Sequence, residues 1–280
     1  MAGCRRVNIQ GIRILNDCRG ANNDGIDPDT CRDVVISNCF IETGDDAIVI
    51  KNSLPMAAKY GACENIIVSN CILNSHDSAI KIGTETGDAI RHVIISDCVF
   101  RDCSRGVGIW VRDGAVIEDI QVHHIIGNTL RYADCIGRDF APGWWGKGEP
   151  IFISATSRTK DYSKMGSAPD MTVSGEKSPG IIRNISFDNI QMTAESCVFI
   201  AGEADSVIED VRITNLVLTQ QKQGTQEADC FDEQPSGRGV YAHSIPAVYA
   251  RHVNSLSVSG TVRRKDDFKK NQMVQTEDTS

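Results

Sequence analysis

The chain has no run of about 20 consecutive apolar residues, which excludes a membrane-spanning helix. It has no excess of positive charge either. The net charge is −8 at pH 7, and no basic stripe follows the apolar segments, so a nucleic-acid partner is not expected. Helical periodicity is missing, and the steps between apolar segments leave no room for the roughly ten residues of helix that a βαβ crossover takes. Aromatic residues make up only 6%, as expected where Val, Ile and Ala fill the core. The eleven cysteines include no CxxC and no Cys/His spacing, which argues against zinc, and no metal or cofactor is expected. Eleven cannot all pair with one another. Cys4, Cys18, Cys31, Cys63, Cys103 and Cys135 are candidates for one or two disulfides, among which the sequence does not choose, so the redox compartment stays open.

What the chain does have is a short apolar motif that returns. It reads Val34-Val35-Ile36-Ser37-Asn38-Cys39-Phe40, then Ile66-Ile67-Val68-Ser69-Asn70-Cys71-Ile72, then Val93-Ile94-Ile95-Ser96-Asp97-Cys98-Val99. Weaker copies begin at Val7, Ile120, Ile185 and Val211. Taking the Asn-equivalent as the mark, the copies stand at 11, 38, 70, 97, 124, 189 and 215, mostly 26 or 27 residues apart. A second apolar strand falls between the marks, as in Asp46 to Lys51, Ser78 to Gly83, Gly106 to Arg112, Pro150 to Ala155 and Cys197 to Gly202. Short β-branched strands joined by Gly, Asn and Asp turns predict an all-β parallel solenoid, each coil stacked on the next. Stacking predicts a ladder of Asn and Asp side chains at 38, 70, 97, 189 and 215. Beside it, Cys39, Cys71 and Cys98 are expected as an inward stack of small apolar groups.

Chemistry concentrates in two segments, Asn22-Asn23-Asp24-Gly25-Ile26-Asp27 and Gly44-Asp45-Asp46-Ala47-Ile48-Val49-Ile50-Lys51. They place Asp24, Asp45 and Asp46 at strand ends one repeat apart, which is how a paired-carboxylate glycosidase can be built. Asn-Asp-Gly is also plain turn chemistry, which accounts for Asp24 and Asp27 without a site. Two adjacent acids before an apolar strand, one coil from a third, are better explained by a site.

These segments, with the closing run Ile245-Pro246-Ala247-Val248-Tyr249-Ala250-Arg251-His252-Val253, resemble glycoside hydrolase family 28, the polygalacturonase-like enzymes. The resemblance covers nearly the whole chain in coil order and spacing. It implies a right-handed parallel β-helix and inverting hydrolysis without a metal. The family's motif runs Asn-Thr-Asp, Gly-Asp-Asp, Gly-His-Gly and Arg-Ile-Lys, and the first two stand here as Asn22-Asn23-Asp24 and Gly44-Asp45-Asp46. By that match Asp45 is the general acid, while Asp24 and Asp46 activate water on the opposite face of the ring. Neighbouring carboxylates raise an acid's pKa by like-charge repulsion, which suits a proton donor near neutral pH. Inversion needs acid and base roughly 6.5 to 9.5 Å apart, a gap that carboxylates on adjacent coils could span.

The other two motifs are altered. Ser75-His76-Asp77-Ser78-Ala79-Ile80-Lys81-Ile82-Gly83 puts Ser78 at the family's histidine, and Arg105-Gly106-Val107-Gly108-Ile109-Trp110-Val111-Arg112 puts Gly108 and Trp110 at its cations. Those cations would grip a galacturonate carboxylate. Their loss favours a pectin-like glycan containing a neutral or modified sugar over homogalacturonan, with Trp110 as an apolar platform. His76, Lys81, Arg105 and Arg112 are close enough in sequence to rebuild a carboxylate site. Candidate substrate contacts are therefore Asn22, His76, Ser78, Lys81, Trp110, Arg112 and Trp145. Alternation puts Lys81 with Ala79 and Gly83 and Ser78 with Ile80 and Ile82, and either face could be the groove. His123 and His124 are expected in a ladder or core, and Glu149 is a modest candidate for a sugar hydroxyl.

The step from His124 to Asn189 is long by roughly 38 residues, one coil being the unit. This insertion, about 131–180, is expected to wall the cleft with Trp144 or Trp145 stacking on a sugar. The abrupt start at Met1-Ala2-Gly3-Cys4, without a signal peptide, predicts that upstream coils precede this chain. The β-helix is expected over 1–262 and a polar tail over 263–280. For the full-length protein a secreted or periplasmic location follows, with a carbohydrate as partner, no nucleic acid and no membrane. Two alternatives remain: a β-helical polysaccharide lyase with a Lys or Arg base, and a non-catalytic glycan-binding solenoid.

Overall fold

A computed structural model describes residues 1–18, 22–132, 146–156, 179–224, 230–232, 240–242, 244–265, 268 and 272–280. Its strands run parallel in two long sheets, and successive coils add one strand to each. The result is a parallel β-helix, right-handed as crossovers between parallel strands are. One sheet of eleven strands is built on Arg5–Gln10, Arg32–Ser37, Cys63–Ser69, Ala89–Cys103, Ala115–Thr129, Gly180–Ala194, Ile208–Gln220 and Val253–Arg264. The second, of seven strands, runs from Ile48–Asn52 through Ser78–Thr86, Arg105–Trp110, Glu149–Ser154, Val198–Ala201 and Val248–Arg251 to Val274–Glu277.

The register explains why the repeat is apolar at every second position. Val34, Ile66, Val93, Ile120, Ile185 and Val211 stand in one column across six coils. All are at most 1% exposed. Each such side chain contributes roughly 1.5–3 kcal/mol by leaving water. Cys39, Cys71 and Cys98 form a further inward column, their thiols donating to the carbonyls of Ser37, Ser69 and Ser96. Cys4, Cys18, Cys31, Cys63 and Cys103, expected to include disulfides, are free thiols, and Cys135 lies outside the described residues.

The polar ladder differs from expectation. Side-chain bonds along the axis run through an earlier column: Asn65 donates to Asp33 at 2.9 Å, His92 Nδ1 meets Asn65 Oδ1 at 3.2 Å, and Asn184 donates to Asp119. Both that column and the one at 38, 70, 97, 124, 189 and 215 turn the chain, and in the latter His124 meets Asp97 at 3.5 Å. Each residue of the latter column has φ between 53° and 57°, turning the chain where the inward column continues on a new segment. Asn and Asp tolerate this left-handed geometry better than other side chains, which is why the motif carries them.

Among the described residues one helix occurs, Leu54–Tyr60, with Pro55 in its first turn. It takes up the extra length of the step from Asn38 to Asn70. No described helix is long and apolar enough to cross a membrane. The segment 263–280, expected as a polar tail, is instead tied to the fold. Val274–Glu277 extends the seven-stranded sheet beside Val248–Arg251, and Phe268 is fully buried. Its charges conceal a strand, because at a sheet end the outward positions are wet.

Candidate active site

The outer face of the seven-stranded sheet carries the acids. Ile80 and Ile82 point into the core, so Lys81 points out, as do Val49 and Gly108 beside it in register. The groove is thus on the Lys81 face. Asp24 reaches the same place because Gly25 and Ile26 donate to the carbonyls of Asp46 and Ala47, both at 3.0 Å. A Cβ at position 25 would collide with the Ala47 carbonyl, so this approach needs glycine.

Asp45 is 7% exposed and Asp46 is 1% exposed. Asp45 Oδ2 accepts from the Asn22 amide at 3.0 Å, and its Oδ1 accepts from the Asp46 amide at 2.9 Å. Burial, followed by the charge of Asp46, pushes the Asp45 carboxyl up to about 6. Asp46 Oδ1 accepts from the Ser78 amide at 3.2 Å, and its Oδ2 is paired with Lys81 Nζ at 2.8 Å. Burial works against the Lys81 charge. The carboxylates of Asp46, Asp77, Asp45 and Glu85 outweigh it and hold the ammonium protonated. Asp24 and Asp27 share Lys51, at 3.0 and 2.8 Å. Burial nevertheless leaves Asp27 raised to about 6, with Lys51 opposing.

Ligand oxygens of Asp45, Asp46 and Asp77 come within 4.8 Å of one another. Cationic side chains already answer that charge: Lys81 meets Asp46, and Arg105 Nη1 donates to Asp77 Oδ1 at 2.8 Å. Glu149 stands 3.7 Å beyond, on Arg105 Nε. Asp77 is raised by burial first and by Asp46 second. A second cluster, Asp97 with His123 and His124, lies on the other sheet and takes part in its polar columns.

The structure brings Asp24, Asp45, Asp46, Lys81 and Asn22 together and assigns other places to the rest. Ser78 has no exposure; its hydroxyl is turned to Asp77 and its amide orients Asp46, so it is not a substrate contact. Trp110 is 3% exposed and offers no open platform. Its indole folds back over Gly108 and heads a ring stack through Phe152, Phe199 and Tyr249, with centroids 4.9, 4.9 and 5.2 Å apart. His76 stacks on Tyr132 at 3.8 Å, and burial lowers its pKa to about 4. It is therefore neutral near pH 7 and cannot serve as a cation for a carboxylate. Arg112 is 6% exposed and faces Glu85, whose carboxyl burial would raise but Lys81, Lys51 and Arg112 hold down. Trp144, Trp145 and most of the 131–180 insertion lie outside the described residues. Asp77, Lys51, Asp27 and Glu85 were not among the sequence candidates. Lys51 carried a usable signal, since it alternates with Val49 onto the outer face.

Comparison with known proteins agrees with this fold. The model for glycosyl hydrolases family 28 matches residues 1–142. A probable polygalacturonase of Vitis vinifera is 29% identical over 134 residues, covering 46% of this chain and 27% of the relative. A second, from Arabidopsis thaliana, is 28% identical over 134 residues, covering 46% and 28%. The chain thus matches about a quarter of the length of these relatives. Among solved structures, a hyperthermoactive exopolygalacturonase of Thermotoga maritima superposes with a TM-score of 0.58 at 21% identity, over 82% of this chain and 45% of that one. A family 28 exopolygalacturonase of Yersinia enterocolitica gives 0.58 at 14% identity, over 92% and 38%. At those identities the likeness concerns the fold.

Proposed function

The chain belongs to glycosyl hydrolases family 28, and from that premise we propose that it carries the catalytic coils of an inverting glycosidase acting on a pectin-like glycan. The observation that carries the reading is the division of labour among three acids. Asp45 is buried and holds its proton up to about 6, as a general acid requires. Asp46 is held by Lys81 and by the Ser78 amide, and Asp24 by Lys51, which fixes both carboxyl groups in place beside the acid. In the reaction Asp45 protonates the leaving glycosidic oxygen. Asp46 and Asp24 orient a water, and one of them takes its proton as it attacks the opposite face of the anomeric carbon, inverting it; Asp45 and Asp46 bring oxygens within 4.8 Å of each other, closer than the usual inverting gap.

Asn22 supports the acid from its backbone: its amide holds Asp45 Oδ2 while the Asp46 amide holds Oδ1, so the carboxyl is fixed in orientation. The substrate at this level is a galacturonide, neutral or modified sugar within a pectin-like polymer or oligomer. A wall polymer is met outside the cell, which places the full-length protein as secreted or periplasmic.

Mass spectrometry of products made in heavy-oxygen water from a panel of pectic oligosaccharides, for this chain and for Asp45→Asn, tests the reading. Incorporation of one heavy oxygen, abolished by the substitution, is the expected result. Unsaturated products would assign a lyase instead. Absence of product from a folded chain would favour glycan binding.

A further inference from the structure

Resting on that reading of Asp45 and Asp46, we propose that the sugar ring seated on this part of the sheet is a neutral one, because among the described residues the outer face beside Lys81 closes with an uncharged indole and Lys51, Lys81 and Arg105 are each already paired with a carboxylate.

Position 108 lies in register with Lys81 on one coil and Phe152 on the next. A side chain there would enter the ring of Trp110, so nothing larger than glycine fits without displacing the indole. The indole is held in turn by Phe152, by Lys81 Nζ at 5.4 Å and by the Arg105 guanidinium at 5.1 Å. A charged group reaching up from position 108 or 110 is thereby excluded.

The remaining cations are engaged within the protein. Lys51 holds Asp24 and Asp27, Lys81 holds Asp46, and Arg105 holds Asp77 with Glu149 beyond. Arg112 faces Glu85, as do both lysines. Asp45 adds a further acid, so acids outnumber cations among the described residues. A uronate carboxylate entering here would have to draw Lys81 from the buried Asp46 or Lys51 from the half-buried Asp24 and Asp27, and it would face uncompensated like charge. A hydroxymethyl or methyl group at the same ring position carries no such cost.

Chemical reduction of the carboxyl groups converts galacturonosyl residues to galactosyl residues without changing a linkage, so matched oligosaccharides isolate the charge. Calorimetric titration of Asp45→Asn with native and carboxyl-reduced oligogalacturonides, and with rhamnogalacturonan fragments ending in the neutral sugar, reads the preference directly. The expected result is that at least one neutral-ended form binds about tenfold or more tighter than the native uronate. Equal or tighter binding of the native uronate, or no binding of any neutral-ended form, would overturn the proposal. Parallel assays of the unsubstituted chain separate the two readings. Neutral-form binding without hydrolysis removes the hydrolase and leaves the preference, whereas hydrolysis of native homogalacturonan removes the preference and leaves the hydrolase.

Discussion

At the scale of single residues, the acids are distinguished by what touches them. Asp45 is buried beside the charge of Asp46, and these outweigh the opposing amide of Asn22, so its proton stays until about pH 6. The rate of the proposed hydrolysis should therefore fall above about pH 6 as the acid is lost, and kcat/KM against pH on an uncharged oligosaccharide checks it. A profile still rising at pH 8 would remove Asp45 from the acid role. Lys81 is the converse case, a cation that pairs with the buried Asp46 carboxyl at 2.8 Å. Lys81→Met leaves a carboxylate that is 1% exposed without its counter-ion, which should cost about 3–5 kcal/mol in urea unfolding. Adding Asp46→Asn should recover much of that stability but none of the activity. The grouping of Asp24, Asp45 and Asp46 was legible in sequence because Asn-Asn-Asp and Gly-Asp-Asp sit at strand starts. Asp77, Lys51 and Glu85 were not, because their roles exist only as pairings between coils, and pairing depends on register. Trp110 was misread for a related reason: the ring's direction depends on Gly108, two residues away on the same face.

The elements explain how one repeat yields both a core and a groove. Strand alternation supplies the inward columns, and the left-handed residues bend each coil so that these columns stay aligned. Asn70 is exposed, has φ of 54°, and sits at such a bend. Asn70→Val forces a β-branched residue into that geometry and should destabilise by about 1–2 kcal/mol. Asn70→Gly should remain within about 1 kcal/mol of the parent. Chemical denaturation of the pair distinguishes a conformational role from an amide ladder, since a ladder would make both substitutions costly. The strand repeat was readable from its apolar spacing alone. The purpose of its Asn was not, because a recurring polar column is compatible with side-chain stacking and with backbone turning, and the column of Asp33 and Asn65 does both. The strand at Val274–Glu277 was hidden because three of its neighbours in sequence, Gln275, Glu277 and Asp278, are polar.

For the whole molecule, placing a carboxylic acid on a buried sheet face has a thermodynamic consequence. Asp45 titrates near the usual carboxylate value of about 3.9 when unfolded and at about 6 when folded. Between those values the folded state holds more protons than the unfolded one, so stability falls as pH rises through this window and the loss is complete above about pH 6. Two pKa units correspond to about 3 kcal/mol, and at 7% exposure little of that is screened. Asp77 is raised in the same direction, and Asp27 adds a smaller contribution because its side chain is 31% exposed. Glu85 is shifted the other way, and its contribution is lost on acidification instead. The melting temperature should therefore drop by several degrees between about pH 5 and pH 8, each kcal/mol being worth about 2–4 °C in a domain approaching this size. Asp45→Asn removes the largest isolated contribution, so its melting temperature should vary less over the same range. Scanning calorimetry of both proteins at matched ionic strength decides the matter. Parallel pH curves would mean that Asp45 carries no folding penalty, and the buried acid would then owe its proton to something other than the fold.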